Sequence, residues 1–560
     1  MTLHFADLHP PRPTRQTLEA AHAAIHTDLA AGAADRRGTA LARWDEERRR
    51  YESWSALVHL RFSQDTANAE ARAERDYADA LAPEATRHEV SVKRHLLDHP
   101  DRAALIAEQG AHRVRLWEMD ITTFDPAIAP ALEEEARLCA EYTELLASAR
   151  LDVEGTRVNL SGLAPFQETR DRDVRHRAEQ ARWAFFAANA ERLDGLYDRL
   201  VTLRHDMAAT LGFASYTPLG YRRMRRVDYG PEQVAAFRAQ VLEHVVPLVH
   251  RLLRQRTAEQ GWDRLYAWDE SLIDPAGNPR PAGAHDLLIE RATMMFDRMG
   301  PALGAFFRTM NDGGFLDLRN RDGKAGGGFC TSFPTEGVPF IFANFNGTHH
   351  DIAVFTHEMG HAFQNWQSRD LPGIDLLWPT MDAAEINSMG LEFLTWPHME
   401  LMVEEGAADR YRRMHLIASL AFLPYGVCVD HFQHEIYADP AMSAEGRHAL
   451  WRRLERLYMP WRDYGDLDYP AKGGRWQAQL HIYRLPFYYI DYTLALCCAM
   501  QFWLAARRDA DDAMRRYTAL CGQGGSASFT DLVASAGLVS PFSPGALHDV
   551  VREAETVLAL

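Results

Sequence analysis

Two histidines and one glutamate stand at a spacing that could hold and use a metal ion: His357, Glu358 and His361. Residues four apart on an α-helix are offset by only about 40° around its axis, so both imidazoles can reach the same ion. Glu358 lies beside them, where its carboxylate can take a proton from a zinc-bound water whose pKa the metal has lowered to about 7. The pattern therefore predicts a hydrolytic zinc site with Glu358 as the general base.

The stretch around this motif has the features of a two-faced helix. Thr348 followed by Asp351 is typical of a helix that begins near His349, and Pro372-Gly373 marks its end. The apolar positions are Ile352, Phe355, Met359, Phe363 and Trp366, and the polar positions on the other side are His357, His361, Gln364 and Ser368. A surface helix whose polar side meets water is the alternative, and a third metal ligand would exclude it.

A third ligand is expected in the segment 382–392, which carries carboxylates at helical spacing. Glu385 follows His361 by 24 positions, which is enough for the first helix to end and a second helix to run back. Two histidines, one glutamate and an open water position form a catalytic zinc set. Glu392 shares a face of the second helix with Glu385, and we expect it to contact a ligand instead of the ion.

Two other metal-site patterns can be weighed against this one. A metzincin would need Gly at 364 and His at 367, whereas the chain has Gln364 and Gln367. His431 and His434 could form a second site, but the inverted zincin pattern requires a glutamate before the second histidine, and here Glu435 follows it. We therefore expect one zinc ion per chain, held by the first motif and the acidic segment after it.

Several segments beyond the metal motif resemble the thimet oligopeptidase/oligoendopeptidase F family of zinc peptidases, closest to its Pz-peptidase-like bacterial branch. They are Asp317-Leu318, 324–329, 339–347, the helices of His357 and Glu385, and 481–492. The resemblance runs from about residue 160 to the C-terminus. It implies a mainly α, zincin-like fold: two helical lobes around a deep substrate channel, zinc on the channel floor, and a small β-sheet next to the zinc helix. It also implies cleavage of short, unstructured peptides.

A short C-terminal segment combines one histidine with several tyrosines. In the family that the chain resembles, a histidine and tyrosines of this region hydrogen-bond the substrate and the transition state. His481 and Tyr492 are the preferred pair here, and Tyr488 and Tyr489 are further candidates. Pro486 prevents a continuous helix, so we expect His481 on a turn and the tyrosines on the helix that follows. Packing in the core is the alternative for each tyrosine.

The clearest strand pattern lies just before the zinc helix. The segments 329–334 and 339–345, separated by a Thr-Glu-Gly turn, predict a β-hairpin. An open strand edge beside the metal can bind an extended peptide backbone whatever its side chains are. We expect Phe342, Ala343 and Asn344 to form this substrate-binding edge, with a merely buried strand as the alternative.

Composition limits the classes of function. The chain has 560 residues, of which 47% are hydrophobic, and a net charge of −17, which argues against nucleic-acid binding. The N-terminal residues show no charged segment followed by an apolar one, and no run of 18 apolar residues occurs, so we expect a cytoplasmic protein without a membrane partner. The six cysteines show neither metal-ligand spacing nor a disulfide pattern.

We expect the chain to have two parts. Residues 1–160 should form an N-terminal helical lobe, and residues 161–560 should form the catalytic region. The sequence does not predict the oligomeric state.

Together these patterns favour a zinc-dependent oligoendopeptidase that cuts internal bonds of short peptides. Two enzyme alternatives stay open, because peptidyl dipeptidases of the angiotensin-converting type and a helical family of carboxypeptidases share the general channelled fold. The residues around Glu385 and the strand 339–347 favour the oligoendopeptidase. A peptide-binding protein with an inactive site is an alternative of another class, and the intact Glu358 argues against it.

Overall fold

In a computed structural model the chain is mainly α-helical, and its strands form two small sheets within the residues that the structure describes. These residues are 3–30, 34–98, 102–321 and 323–560. The larger sheet packs on the helix that carries the metal motif. The prediction of a mainly α fold with a small sheet next to that helix is therefore confirmed.

The N-terminal helices have small cores of their own. Their bounds are α1 Arg15–Ala30, α2 Ala34–Gln64, α3 Ala69–Leu97, α4 Arg102–Gln109, α5 Ala111–Asp120 and α6 Ala129–Ala147. Ile25 and Leu29, one turn apart on α1, pack in one core with Trp44 of α2 and Trp117 of α5. The second core joins α2 to α3 around Trp54. The lobe boundary expected at residue 160 stays a prediction.

A tight hairpin follows these helices. Its strands, β1 Leu151–Val153 and β2 Thr156–Val158, pair antiparallel. Glu154 and Gly155 form the turn with positive φ angles of 52° and 73°, the geometry that suits the twist of a two-residue hairpin. The next helices are α7 Ala164–Gln167, α8 Arg172–Ala188, α9 Ala190–Thr210, α10 Tyr216–Arg223, α11 Pro231–Gln240, α12 Val246–Glu259, α13 His285–Met299 and α14 Pro301–Asp312.

The sheet beside the metal motif has three strands in the order β3-β5-β4. They are β3 Leu316–Arg319, β4 Phe329–Phe333 and β5 Val338–Phe345. The strands β4 and β5 form the predicted antiparallel hairpin, while β3 runs parallel to β5. Because β5 is the inner strand, its residues from Val338 to Ala343 are buried, which explains their continuous apolar run.

The remaining helices form the largest part of the core. They are α15 His350–Ser368, α16 Met381–Leu394, α17 Ala408–Ala438, α18 Ala444–Tyr458, α19 Asp468–Ala471, α20 Leu480–Arg484, α21 Tyr489–Arg508, α22 Ala510–Gln523, α23 Phe529–Ser535 and α24 His548–Leu558. Helix α16 packs between α15 and α21 within this core. The fold therefore brings together the metal motif on α15, the acidic segment on α16 and the tyrosines at the start of α21.

Two of these helices, α17 and α21, are long and apolar enough to cross a membrane by length and composition alone. Of their most apolar windows, 67% and 72% are buried inside the fold. Burial in the protein core is therefore sufficient to explain their composition.

Candidate metal centre

A buried carboxylate holds the turn that leads into α15. Asp351 accepts hydrogen bonds from the backbone N–H groups of Asn346, at 2.9 Å, and Gly347, at 2.7 Å. The Thr348 hydroxyl donates to the side-chain oxygen of Asn346 at 2.7 Å. Thr348 and Asp351 therefore stabilise this turn and do not cap the helix through each other. The helix nevertheless begins within one residue of the predicted position, His349.

The polar side of α15 faces the protein interior. Gln364 and Ser368 are fully buried, and both donate to the carbonyl oxygen of Leu377, at 3.0 and 2.7 Å. Glu358 and His361, on the same helix, are also buried. This excludes the alternative of a surface helix whose polar side meets water.

Gly360 sets how closely α15 and α16 approach each other. A Cβ atom at this position would lie 2.6 Å from Ser388 Cα and would also overlap the carbonyl oxygen of Asn387, both in the backbone of α16. Only a residue without a side chain permits this approach. As a result Glu385, nearly one turn before Ser388, lies against the two histidines of the motif.

Three potential ligand atoms converge where these helices meet. Glu385 Oε2 lies 3.2 Å from His357 Nε2 and 3.4 Å from His361 Nε2. Two imidazoles and one carboxylate are a donor set that suits a divalent transition metal. Within the described part of the chain, no other group of three such side chains brings its ligand atoms within 4.8 Å of one another.

A second carboxylate orients His357. Glu392 Oε1 lies 2.7 Å from His357 Nδ1, which leaves Nε2 facing Glu385. The other oxygen of Glu392 lies 2.8 Å from Nε2 of His415, on α17. Carboxylates of this kind commonly fix the ring of a metal-binding histidine. The sequence indicated the position of Glu392, but it did not indicate His415, which has no recognisable motif around it.

Two hydroxyl groups hold the carboxylate of Glu385. Ser388 Oγ donates to Oε2 at 2.8 Å, and the Tyr488 hydroxyl donates to Oε1. The structure thus gives Tyr488, one of the less favoured tyrosines in the sequence analysis, a defined contact with the ligand set. Its hydroxyl is already used by that contact.

The charges in this cluster favour an ionised Glu385. Burial alone would raise the pKa of Glu385, but His361 and His357 hold it well below its usual range. Burial alone would lower the pKa of His357, but hydrogen bonds to Glu385 and Glu392 raise it well above its usual range. The carboxylate form of Glu385 is the one that binds metal ions. The residues of this site therefore fit a bound divalent metal.

Glu358 lies next to the ligand atoms, and one oxygen of its carboxylate, Oε2, is buried without a hydrogen bond to any described residue. Burial raises the pKa of this carboxyl group. Gly328, just before β4, packs close to the Glu358 carboxylate. A Cβ at position 328 would lie 3.6 Å from Glu358 Oε1 and would overlap Val354 Cγ1 at 2.9 Å. The glycine therefore leaves room beside the carboxylate.

His481 and the tyrosines form an aromatic cluster on the other side of the site. The ring centroid of His481 lies 5.6 Å from that of Tyr488, 4.9 Å from that of Tyr489 and 5.7 Å from that of Tyr492. His481 lies on the short helix α20 and not on a turn, and Pro486 separates it from α21 as predicted. The fold therefore brings all four candidates together.

The members of this cluster differ in exposure. Tyr492 and His481 are partly exposed, whereas Tyr489 is buried and packs against Phe422 and Tyr425. Burial lowers the pKa of His481 to about 4, which favours a neutral ring at neutral pH. Tyr492 and His481 therefore have access to a ligand, whereas a catalytic role of the buried Tyr489 stays a prediction.

The strand edge expected at Phe342, Ala343 and Asn344 is not open. Phe342 pairs with residues of both neighbouring strands. Lys324 Nζ donates to the carbonyl oxygen of Ala343 at 2.6 Å, and the Asn344 amide donates to backbone oxygens of the glycine-rich loop before β4, at 2.7 and 2.9 Å. That part of the prediction is wrong, because an inner strand uses its hydrogen-bonding groups within the sheet. The edge strand β4 begins directly after Gly328, where a Cβ would lie 3.6 Å from Glu358 Oε1.

The histidines of the second pair contact different tyrosines. His431 Nδ1 lies 3.0 Å from the Tyr458 hydroxyl, and His434 Nε2 lies 3.1 Å from the Tyr221 hydroxyl. Each histidine therefore has its own protein partner, and the absence of a second metal site stays a prediction.

The chain matches peptidase family M3 over residues 166–273 and 306–550, and the peptidase M3 N-terminal domain over residues 5–124. It is similar to the structure of Pz peptidase A with an inhibitor (40% identity, TM-score 0.96, 99% of each chain covered). It is also similar to a candidate oligoendopeptidase F (43% identity, TM-score 0.96, 100% of this chain and 99% of the other). A third similar structure is a candidate oligoendopeptidase F from Bacillus anthracis str. Ames (38% identity, TM-score 0.92, 100% and 98% covered). Among curated proteins, none matches. These similarities confirm the resemblance drawn from the sequence motifs and extend it to the residues before 160. The chain belongs to peptidase family M3.

Proposed function

We propose that the chain is a zinc-dependent oligoendopeptidase that hydrolyses internal bonds of short, unstructured peptides. The observation that carries this proposal is the convergence of two imidazole Nε2 atoms on Glu385 Oε2, with the unused oxygen of Glu358 beside them. A set of two histidines and one glutamate is typical of catalytic zinc. When bound, zinc supplies Lewis-acid chemistry that lowers the pKa of water and polarises a peptide carbonyl.

Glu358 acts as the general base. Its unpartnered Oε2 can accept a proton from the attacking water, and the same carboxyl group can then give that proton to the leaving amine. Burial raises the pKa of Glu358, so the group holds a proton more readily than an exposed glutamate does.

His481 is arranged to donate a hydrogen bond. The Tyr425 hydroxyl donates to Gln479 Oε1 at 2.7 Å, so the amide of Gln479 presents its N–H to His481 Nδ1 at 2.8 Å. A neutral His481 whose Nδ1 accepts this bond carries its proton on Nε2. That Nε2–H is one donor for the oxyanion of the tetrahedral intermediate.

Tyr492 is the preferred second donor for the oxyanion. It is partly exposed, and its ring lies 5.7 Å from that of His481. Tyr488 has another task in this proposal, because its hydroxyl already donates to Glu385 and so fixes the orientation of that carboxylate.

Short peptides are the proposed substrates. Two structures with high overall similarity carry the description oligoendopeptidase F, and a third is Pz peptidase A with an inhibitor; these descriptions support peptides as substrates. The aromatic cluster and the metal ligands are buried or only partly exposed, so a folded substrate would first have to unfold at a cost of about 5–15 kcal/mol. Cytoplasmic location, and the absence of membrane and nucleic-acid partners, stay predictions.

Glu358→Gln tests the proposed mechanism. The variant should keep its zinc content and its thermal stability but lose nearly all hydrolysis, because an amide cannot accept the proton of water. Glu405→Gln, an exposed position, is the matched control and should behave like wild type. The measurements are metal analysis, thermal unfolding, and mass spectrometry of fragments from peptides of graded length. Full turnover in Glu358→Gln would contradict the assignment.

The fragments also separate the alternatives. Cleavage at internal bonds of end-blocked peptides supports the oligoendopeptidase. Release of C-terminal dipeptides alone, or of single C-terminal residues alone, would favour a peptidyl dipeptidase or a carboxypeptidase. Peptide binding without cleavage by the zinc-loaded wild type would favour a peptide-binding protein.

A further inference from the structure

A partly exposed arginine lies at one end of a strip of accessible residues that leads away from the metal centre. The strip consists of Arg475, Tyr425, Gln479 and His481, all of them partly exposed. The guanidinium carbon of Arg475 lies 5.4 Å from the ring centroid of Tyr425. The Tyr425 hydroxyl bonds Gln479, which in turn bonds His481. Arg475 is therefore connected by three successive contacts to a proposed oxyanion donor.

Arg475 forms no direct ion pair with any described residue, although the charge of Glu270 acts on it from a distance. Among the described residues, no carboxylate lies within ion-pair distance of this guanidinium, and its Nε atom is buried without a hydrogen-bond partner. The nearby carboxylates are bound by other arginines: Glu270 by Arg462, at 2.9 Å, and Glu455 by Arg452 and Arg462, at 2.5 and 3.6 Å. A partly buried cation without a partner is costly for a protein, so this position is poised to receive an anion.

The backbone that carries Arg475 is held firmly on both sides. Gly473 has a φ of 101°, and a Cβ there would overlap the backbone of His448, including its Cα at 3.0 Å. On the other side Trp476 is fully buried, and its indole N–H bonds His448 Nδ1 at 3.1 Å. The guanidinium is thus presented from a fixed segment, which reduces the entropy lost when it binds a ligand.

We propose that Arg475 binds a carboxylate of the peptide substrate, either the C-terminal carboxylate or the side chain of an acidic residue. A guanidinium offers its N–H groups as a fork that matches the two oxygens of a carboxylate. The three contacts between Arg475 and His481 are each shorter than 6 Å. An extended peptide rises about 3.3 Å per residue, so about five residues cover this distance. A carboxylate within about five residues of the scissile bond can therefore reach Arg475. This inference rests on the proposed function, because it requires a peptide bound next to His481.

The test compares three peptides of the same length and core sequence: one with a free C-terminal carboxylate, its C-terminal amide, and the amide with a glutamate near the C-terminus. Wild type should cleave at least one carboxylate-bearing peptide with a kcat/KM about 10- to 100-fold above that of the plain amide, the effect of one charge-assisted hydrogen-bonded pair. The difference should appear in KM. Arg475→Gln should abolish this preference and leave kcat for the plain amide unchanged. Arg254→Gln, at an exposed position on α12, is the matched control and should keep the preference.

The two carboxylate peptides identify the source of the ligand group. A preference for the free acid assigns the C-terminus, and a preference for the glutamate peptide assigns an acidic side chain; either supports the inference if Arg475→Gln removes it. If wild type and Arg475→Gln preferred the carboxylate-bearing peptides to the same extent, the inference would be overturned. If thermal unfolding shows that Arg475→Gln does not fold, Arg475→Lys is used in its place. This variant keeps the positive charge but lacks the forked guanidinium, so it should lose part of the preference for carboxylate-bearing peptides. An unchanged preference in Arg475→Lys would overturn the inference. Equal cleavage of all three peptides by wild type would overturn this inference alone, whereas no cleavage of any peptide would contradict the proposed function itself.

Discussion

Gly360→Ala should weaken metal binding by moving α15 and α16 apart. A Cβ at this position would lie 2.6 Å from Ser388 Cα, whereas ordinary contacts are 3.4 Å or longer, and it would also overlap the carbonyl oxygen of Asn387. Because these are backbone atoms, no side-chain rotation can relieve the overlap, and α16 has to shift by about 0.8 Å. Glu385 lies nearly one turn before Ser388 on the same helix and moves with it.

A shift of this size is large for a metal site, where ligand distances are held within about 0.2 Å. We expect the zinc affinity to fall by about 10- to 100-fold, the loss typical when the support of a metal ligand is removed. Overpacking lowers the free energy of unfolding by about 1–3 kcal/mol. Alanine has a higher helix propensity than glycine, which offsets about 1 kcal/mol of this loss in the free energy of unfolding. The variant should therefore fold.

The assay is a zinc titration in competition with a chromogenic chelator, together with thermal unfolding of the metal-free protein and peptide hydrolysis. Gly390→Ala, on α16, is the matched control, because a Cβ there would meet only side-chain atoms, at 3.4 Å or more. Its zinc affinity should equal that of wild type. A Gly360→Ala protein that binds zinc as tightly as wild type, with full turnover, would refute the argument that this close approach positions Glu385.

Two further substitutions test the surroundings of the site. His415→Ala removes the group that bonds Glu392 behind His357, and we expect zinc affinity to fall by about tenfold in the same competition assay; an unchanged affinity would mean that Glu392 holds its place without His415. Tyr492→Phe should lower kcat by about 10²- to 10³-fold with little change in KM, the effect of a donor used mainly in the transition state. A normal kcat in steady-state kinetics would assign Tyr492 to core packing.

Much of the fold around the site was predictable because it depends on local periodicity. The helix of the metal motif begins within one residue of the expected position, and the hairpin of β4 and β5 lies where alternating and apolar residues surround a Thr-Glu-Gly turn. Pro486 separates α20 from α21 as expected. These features depend on the backbone geometry of a few consecutive residues. The pattern of residue types that determines this geometry can be read from a single sequence.

The order of strands was not predictable in the same way. The sequence indicated that β5 is a strand but not that β3 would pair on its other side, because that pairing joins residues far apart in the chain. The substrate edge expected at Phe342, Ala343 and Asn344 was therefore misplaced. A buried inner strand and a half-open edge strand can have the same apolar run, so the pattern alone does not separate them.

The sequence by itself determined that the two histidines of the metal motif lie together, because residues four apart on a helix share one face whatever surrounds the helix. It also determined that carboxylates follow on a second helix. Only the tertiary structure decided which groups meet: Glu385 reaches the histidines through the close approach at Gly360, and His415 and Tyr488 arrive from other helices. It also decided that Arg475 forms no direct ion pair with a described residue. The physical reason is that helix periodicity is a property of the local backbone, whereas contacts between distant segments depend on how the whole core packs.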